Sequence, residues 1–289
     1  MNLELLRSKK LVNYPSGSTM STFQDHIYLM GDDASSMLIL DDDFTVIDTI
    51  KFFDVDLLRI QKTKKADIES SEWLMTDGKP KLWLFGSGSL SPQRDSAFCY
   101  DPESKKTKSI DLIEFYNRLR ASPIPELNIE AVALVKNQLI FGSRGNLKHK
   151  QNFIIVTTAN GFLSKAEFSI LPIMLPEHAG ISGMTYIPEK DLLLITSSEE
   201  STSNAFEDGK IGESYLGFVF SASSKIKQKN LVPDEWINLA DINLDLSLQK
   251  IESVCILRSS DEDKIKLILV SDDDKGGTML FELRLSLSK

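Results

Sequence analysis

Three glutamates stand at comparable places in the chain, each at the start of a short apolar run. They are Glu69, Glu130 and Glu252. Two similar runs begin with a serine instead, at Ser18 and Ser182. We call these five residues the openers. If the runs are related strands around one axis, the openers converge on that axis although they are far apart in sequence. Carboxylates that meet in this way repel each other unless a cation, a guanidinium group or bound protons offset their charge.

Three roles are open for the opener glutamates. They could accept hydrogen bonds from backbone amides of a neighbouring repeat and so act as clips. They could instead form an acidic ligand pocket, or Glu69, Glu130 and Glu252 could bind a metal ion. Carboxylate oxygens suit calcium or magnesium. However, the chain has no contiguous Asp-x-Asp-x-Asp-Gly calcium loop, so spacing alone does not favour a metal.

A second group of charged residues follows the second strand of several repeats, where it would face the same end of the axis. Its members are Asp32, Asp33, Ser87, Ser89, Arg94, Arg144, Glu199, Glu200, Asp272 and Asp273. An arginine among carboxylates either pairs with them or presents its planar fork to an anionic ligand. Together with the three glutamates, Arg94, Arg144, Glu199 and Asp272 form the predicted ligand site at the axial mouth.

Covalent catalysis and zinc binding find little support in the sequence. There is no Gly-x-Ser-x-Gly turn between a strand and a helix. The three histidines, His26, His149 and His178, are not spaced as a pair of zinc ligands. Cys99 and Cys255 lie inside apolar runs, which predicts that they pack as small hydrophobic side chains.

The five openers belong to a repeat that fills the chain. After each opener come a second apolar strand and a cluster of Gly, Ser or Asp, as in 129–134 followed by 139–144. Repeats of about 40 to 50 residues with four strands each are typical of propeller blades. The sequence therefore predicts an all-β, five-bladed β-propeller of four-stranded antiparallel blades, in a single domain spanning residues 1–289. Six leaner blades are the alternative.

The last repeat shows only three strands, the final one at 278–285. An N-terminal strand, at 3–7 or 10–12, would supply the fourth, close the ring and remove an exposed sheet edge.

Three further segments have sequence patterns that predict local secondary structure. Residues 111–121 have helical spacing, and a short helix is predicted at 233–240 after a proline. In the third repeat, Asn160-Gly161 predicts a tight hairpin turn, with a fourth strand at 163–168.

Charge argues against several classes of partner. With 42 acidic and 33 basic residues the formal net charge is −9, so no nucleic-acid partner is expected. Lys62, Lys64 and Lys65 are interpreted as solvated loop charges. No apolar run of about 18 residues predicts a membrane span. The first ten residues lack the apolar stretch of a secretory signal, which predicts a cytoplasmic protein.

Four groups of residues resemble motifs of a family of uncharacterised bacterial proteins. They are 86–89 with Arg94, 127–130 with 144–146, 198–200 through 208–209 to 212–214, and 250–252 with 270–272. The resemblance extends from Glu69 to the C-terminus and implies a β-propeller without an assigned activity. By fold alone the chain is similar to esterase-like phytases and gluconolactonase-type propellers, in which a Glu-Gly opener lies near a metal or substrate site. Here the openers read Glu130-Ala131 and Glu252-Ser253.

Two functions are carried forward. The first is a noncatalytic scaffold whose acidic, arginine-lined axial pocket binds a small polar ligand or a protein partner. The alternative is a hydrolase or lyase acting on a small polar or phosphorylated substrate at the axial mouth. In that case Glu130 or Glu252 would act as general base, Arg94 and Arg144 as anion clamps, and calcium or magnesium as the cofactor.

Overall fold

Twenty strands form five four-stranded antiparallel sheets in the computed structural model, which describes residues 1–202, 204, 209–257, 264–272 and 277–287. Asp208, part of one motif noted above, lies outside these residues. The chain is a five-bladed β-propeller, as the five openers predicted, and each sheet is one blade.

The strands follow the chain from blade 1 to blade 5, and the first strand, β1 (Asn2–Leu11), belongs to the last blade. Blade 1 contains β2 (Gly17–Phe23), β3 (His26–Gly31), β4 (Ser36–Leu40) and β5 (Val46–Lys51). Blade 2 contains β6 (Ile68–Thr76), β7 (Lys79–Gly86), β8 (Ser96–Asp101) and β9 (Lys106–Asp111). Blade 3 contains β10 (Ile129–Val135), β11 (Gln138–Ser143), β12 (Asn152–Thr158) and β13 (Ser169–Ile173). Blade 4 contains β14 (Ala179–Ile187), β15 (Leu192–Glu200), β16 (Ile211–Phe220) and β17 (Glu235–Asn238). Blade 5 contains β18 (Lys250–Leu257), β19 (Lys264–Asp272), β20 (Thr278–Ser286) and β1.

The N-terminal strand closes the ring, as predicted. β1 pairs antiparallel with β20, so that Leu3 lies opposite Leu285 and Leu11 lies opposite Thr278. The first strands of the blades also contact one another in a complete cycle, from β2 through β6, β10, β14 and β18 back to β2. β1 therefore covers the edge of β20, which would otherwise be unpaired in blade 5.

Apolar side chains fill the spaces between neighbouring blades. Each of the five interfaces in the described residues has its own buried cluster. Between blades 2 and 3, Phe85 and Phe141 meet edge to face with ring centroids 5.1 Å apart. Because both faces of a blade are covered, the second strands are continuous apolar runs such as Leu192–Ile195, and each of these four residues is fully buried.

Two helices are present among the described residues, α1 (Ile113–Arg120) and α2 (Ala222–Lys225). α1 lies within the segment predicted as helical, and its Phe115, Tyr116 and Leu119 pack on the cluster between blades 2 and 3. Neither helix is long and apolar enough to cross a membrane.

Two local predictions are wrong. The fourth strand of blade 3 is β13 and not 163–168, because Phe162 is buried against Trp83 in the blade core and holds Gly161–Leu163 in a 3-10 turn. The predicted helix at 233–240 is instead β17, followed by a 3-10 turn at Leu239–Asp241. β17 pairs with β16 as the outer strand of blade 4, so edge pairing overrides local helix spacing.

Candidate functional site

Every blade carries a bulge at the start of its first strand, and the bulged residue is the opener. The pairing register shifts across residues 18, 69, 130, 182 and 252, each of which lacks a partner on the second strand. A bulge leaves one residue out of the ladder and turns its side chain away from the regular alternation. The five related bulges place the openers at the same end of the ring.

An axial cavity of about 350 Å³ lies at this end. An adjoining cavity of about 80 Å³ shares seven of its lining residues, and we call the two together the axial pocket. The larger cavity is lined by Ser16, Ser18, Asp32, Asp33, Arg59, Ile60, Gln61, Lys62, Lys65, Glu69, Glu130, Glu200, Lys250, Glu252 and Asp272, and the smaller adds Asp67, Arg94, Asn128 and Arg144 among others.

The axial pocket brings together six of the seven residues predicted for the ligand site. The larger cavity contains Glu69, Glu130, Glu252 and Asp272, and the smaller contains Arg94 and Arg144.

Glu199 lies elsewhere. Its carboxylate accepts a hydrogen bond of 2.6 Å from Tyr215 Oη, and Glu200 occupies the pocket in its place. Consecutive residues of a strand face opposite sides, so Glu199 and Glu200 do not both face the pocket.

Sequence reasoning missed Lys65 and Lys250, two of the three lysines that line the pocket. Lys65, interpreted above as solvated, is 8% exposed, and Lys250 lines the same cavity. The available signal was proximity in sequence, because Lys250 precedes the opener Glu252 by two residues and Lys65 precedes the opener Glu69 by four.

The first charged cluster of the pocket contains Asp32, Asp67, Lys65 and Arg94. The ammonium group of Lys65 lies between the two carboxylates: it contacts Asp32 and is 2.7 Å from Asp67 Oδ1. Arg94 Nη1 is 2.5 Å from Asp67 Oδ2. Burial alone would lower the pKa of Lys65, but Asp32 and Asp67 raise it above its usual value, so the ammonium stays charged.

The second charged cluster repeats this composition with Glu200, Glu252, Lys250 and Arg144. Lys250 Nζ is 3.4 Å from Glu200 Oε2 and 3.1 Å from Glu252 Oε1. Arg144 Nη2 is 3.3 Å from Glu200 Oε2 and donates to the carbonyl oxygen of Ser198 at 3.1 Å. Burial raises the pKa of Glu252 despite Lys250, whereas Arg144 and Lys250 lower that of Glu200 against the effect of burial.

Each charged cluster contains one arginine, and each arginine pairs with groups of the protein. Arg94 also donates to Ser89 Oγ at 2.6 Å, and Arg144 is bound to Ser198 and Glu200. Their side chains are 2% and 7% exposed. The geometry favours the pairing interpretation of these arginines over the anion clamp.

Glu69 and Glu130 form a third pair of acidic groups, on the neighbouring strands β6 and β10. Neither makes an ion pair with a lysine or arginine in the part of the chain that the structure describes. Glu130 accepts a hydrogen bond of 2.6 Å from Asn128 Nδ2. Burial, and then the charges of Asp67 and Glu130, raise the pKa of Glu69 well above its usual value. Burial raises the pKa of Glu130 to about 8 against the effect of Arg144. Both carboxyl groups therefore hold their protons to a higher pH than an exposed glutamate does.

A metal ion fits this arrangement poorly. Within the described ranges, one group of three residues, Asp32, Asp67 and Glu69, brings carboxylate oxygens within 4.8 Å of one another. The three opener glutamates do not form such a group. Lys65 already contacts two members of the group, so the chain itself supplies the cation. Calcium and magnesium need about six or more oxygen ligands, which lysine cannot provide.

The clip role belongs to other residues of the first strands. Ser18 Oγ of blade 1 donates to the carbonyl oxygen of Ile68 in blade 2 at 2.5 Å. Glu72 accepts hydrogen bonds from the backbone N–H of Leu134, across the interface, and of Trp73, at 2.9 and 2.8 Å. One opener, a serine, therefore acts as a clip, and the glutamate clip is three residues beyond an opener.

The fold and the site together define a five-bladed β-propeller with a charged pocket on its axis. Residues 13–285 match the model of a family described as a family of unknown function, DUF6929, and the chain belongs to that family. This confirms the resemblance to an uncharacterised propeller family. No curated protein matches the chain.

Solved structures with the same fold have little sequence in common with the chain. Glutaminyl cyclase from Myxococcus xanthus aligns with a TM-score of 0.55 at 9% identity, covering 99% of this chain and 97% of the cyclase. A tail fiber of Staphylococcus aureus phage P68 aligns at 0.52 and 10%, over 100% of this chain and 53% of the fiber chain. A streptogramin B lyase aligns at 0.42 and 9%, over 100% and 89%. The first two alignments show the fold alone.

Proposed function

We propose that the axial pocket binds a small polar ligand through an ammonium group held between Glu69 and Glu130, and that the protein is a noncatalytic binding propeller. One observation carries this proposal. Of the three acidic pairs described above, Asp32/Asp67 and Glu200/Glu252 each hold a lysine ammonium, and Glu69/Glu130 has no such partner among the described residues. The ligand would complete the pattern that Lys65 and Lys250 set.

Electrostatics supports a cation in particular. The larger cavity is lined by seven acidic and four basic residues. An ammonium group between Glu69 and Glu130 would replace the protons that their raised pKa values retain, as an opposite charge favours the ionised form of a carboxyl group. Because binding then releases protons, affinity should rise with pH up to about 8, the pKa of Glu130.

The direct experiment is a titration of the full-length protein with methylamine and ethylamine at pH 6.5 and pH 8.5. Saturation-transfer NMR detects the binding. We expect saturable binding that is tighter at pH 8.5. The variants Glu69→Gln and Glu130→Gln should lose at least tenfold in affinity. Glu103→Gln is the matched control, since Glu103 is exposed and pairs with Lys79 far from the axis. Binding that is equal in all four proteins would refute the proposal.

A second candidate function, acid–base catalysis, has its own supporting observation. A carboxyl group with a pKa of about 8, such as Glu130, can both donate and accept a proton near neutral pH. The protein would then be a hydrolase or lyase for a small polar substrate. A phosphorylated substrate is less well supported, because Arg94 and Arg144 are engaged with protein groups.

A panel of model carboxylic esters, amides and phosphate esters, assayed from pH 6 to pH 9, tests this second function. Turnover that is abolished in Glu130→Gln and retained in Glu103→Gln would support catalysis. Absence of turnover across the panel, or equal turnover in both variants, would leave ligand binding as the function.

A further inference from the structure

A cleft of about 340 Å³ lies between blades 3 and 4, beside the axial pocket. It is formed by the loop that follows β11 and by the segment that joins β13 to β14. Four residues, Arg144, Gly145, Asn146 and Glu200, line both this cleft and the smaller axial cavity. The two spaces are therefore adjacent, with the ion pair between Arg144 and Glu200 as their common wall.

The arginine of this wall packs against the backbone of blade 4. A β-carbon on Gly180 would lie 2.5 Å from Arg144 Nε and 2.7 Å from its Cγ, so the arginine side chain lies flat against this glycine. The arrangement holds the guanidinium group at the boundary, where it pairs with Glu200 and leaves the space on either side open.

The amide side chains inside the cleft bond to the protein. Asn152 Oδ1 accepts from the backbone N–H of Gly145 at 2.9 Å and of Ile181 at 3.1 Å. Asn146 donates to Glu126 and accepts from two backbone N–H groups of its own loop. Gln151 Nε2 donates to two carbonyl oxygens. Ionisable side chains of Lys150, Glu177 and His178 also line the cleft, beside an apolar surface formed by a few side chains.

Two apolar side chains dominate that surface. Leu147 is 46% exposed and Met174 is 63% exposed, and they approach the cleft from its two sides, with Leu175 and Pro176 beside Met174. The loop that carries Leu147 is anchored, since its N–H donates to the carbonyl oxygen of Thr202 at 2.9 Å. The N–H of Met174 donates to Leu231 at 3.2 Å. Exposed apolar side chains held in place around a concave space are typical of ligand sites.

From this adjacency we infer that the ligand is an amphiphilic amine: its ammonium group binds in the axial pocket, and its apolar chain extends past the Arg144–Glu200 ion pair into the cleft between Leu147 and Met174. The inference rests on the proposed function and adds the class of ligand to it. A combined volume near 700 Å³ falls in the range of about 300 to 1,000 Å³ that is usual for small-molecule sites. A short amine would fill only the axial part.

The test is a titration of the wild-type protein at pH 8.5 with a series of straight-chain primary amines, from methylamine to octylamine. Once the chain reaches the cleft, each added methylene should tighten binding about two- to fourfold, as expected for partial to full burial of a CH₂ group. The double variant Leu147→Gln/Met174→Gln should bind methylamine normally and lose the dependence on chain length. Its matched control is Leu57→Gln/Leu58→Gln, which changes two exposed apolar residues that do not line the cleft.

The outcomes separate the two proposals. If methylamine fails to bind, or binds Glu130→Gln as well as the wild type, the proposed function itself is wrong. If methylamine binds through Glu130 but affinity does not increase with chain length, only the inference about the cleft is wrong. An increase that persists in Leu147→Gln/Met174→Gln would also overturn it, because the apolar chain would then bind elsewhere.

Discussion

Two half-buried glutamates on neighbouring blades, Glu72 and Glu130, show how similar carboxyl groups come to have different roles. Burial raises the pKa of both, to about 7 for Glu72 and about 8 for Glu130. Glu72 accepts two backbone N–H groups, one of them from the opposite blade, so both of its oxygens are occupied by the fold. Glu130 accepts one side-chain hydrogen bond and lines a cavity. The pKa alone does not distinguish a structural carboxyl group from a binding one, whereas its partners do.

The same contrast holds among the lysines. Lys65 is enclosed by Asp32 and Asp67, whereas Lys51 forms an ion pair with Asp54 on the surface. Both interactions are ion pairs of similar length, but only the first replaces solvent around buried charges. Removing the lysine from each pair therefore tests how strongly the axial pocket depends on its internal ammonium groups.

The largest effect is expected for Lys65→Met. Removing one partner of a buried ion pair leaves uncompensated charge, which typically costs about 3–5 kcal/mol of unfolding free energy. Here Asp32, Asp67 and Glu69 would face one another, with Arg94 still paired to Asp67. Urea denaturation at pH 7.5 measures the loss, and the variant should regain stability at pH 5, where the carboxylates take up protons.

Lys51→Met is the control for that experiment, because it removes a lysine from a solvated ion pair. Its urea midpoint should match that of the wild type. Equal midpoints for both lysine variants would show that the pocket does not need Lys65 as a cation, and would remove the pattern on which the ligand proposal is based.

Glu72→Gln should destabilise the protein by about 1–3 kcal/mol at pH 5, where the Glu72 carboxyl group, with its pKa of about 7, is protonated in the folded state and its charge does not offset the loss. A glutamine has one acceptor oxygen and an NH₂ group, so one of the two backbone N–H groups, of Leu134 or Trp73, would face a donor and lose its hydrogen bond. Chemical denaturation gives the change, and amine binding should be unaffected. A fully stable Glu72→Gln protein would mean that the interface between blades 2 and 3 does not depend on this clip.

Glu130→Gln should have the opposite sign and stabilise the protein by about 1–2 kcal/mol at pH 8.5. The folded-state pKa of Glu130, about 8, is above the value of the unfolded chain, so its contribution to stability is fully present below about pH 4.5 and is lost as pH rises through 8. Glutamine mimics the protonated form and removes this loss. Denaturation at pH 5 and pH 8.5 checks it, and a variant that is less stable than the wild type at both values would assign Glu130 a structural role.

Much of the fold follows from local signals in the sequence. The openers recur, each first strand is followed by an apolar second strand, and these features predicted five blades and the closure by β1. The errors arose where contacts distant in the chain decide the structure. Residues 235–238 pair with an edge that is visible only once β16 is in place, and Phe162 is drawn into a core that contains residues of blades 2 and 3.

The site was predicted in part for the same reason. Positions of the glutamates around the axis follow from the repeat, but their partners do not. Lys65 is paired with Asp32 across two blades, and Arg144 of blade 3 pairs with Glu200 of blade 4. No local pattern encodes these pairs. The choice between Glu199 and Glu200 depends on which side of β15 faces the axis at the end of the strand, and that is set by an irregular pairing between Ser198 and Glu200.

The smallest effect is expected for Ser18→Ala, which compares an opener that is a clip with one that is proposed to bind ligand. Loss of the hydrogen bond from Ser18 Oγ to the carbonyl oxygen of Ile68 should cost about 1 kcal/mol of unfolding free energy. Ser18 also lines the axial pocket, yet it carries no charge, so the affinity for methylamine should stay within twofold of the wild type. If Ser18→Ala lost as much affinity as Glu130→Gln, the position of the opener on the ring would matter more than its carboxylate, and the distinction between clip and binding residue would not hold.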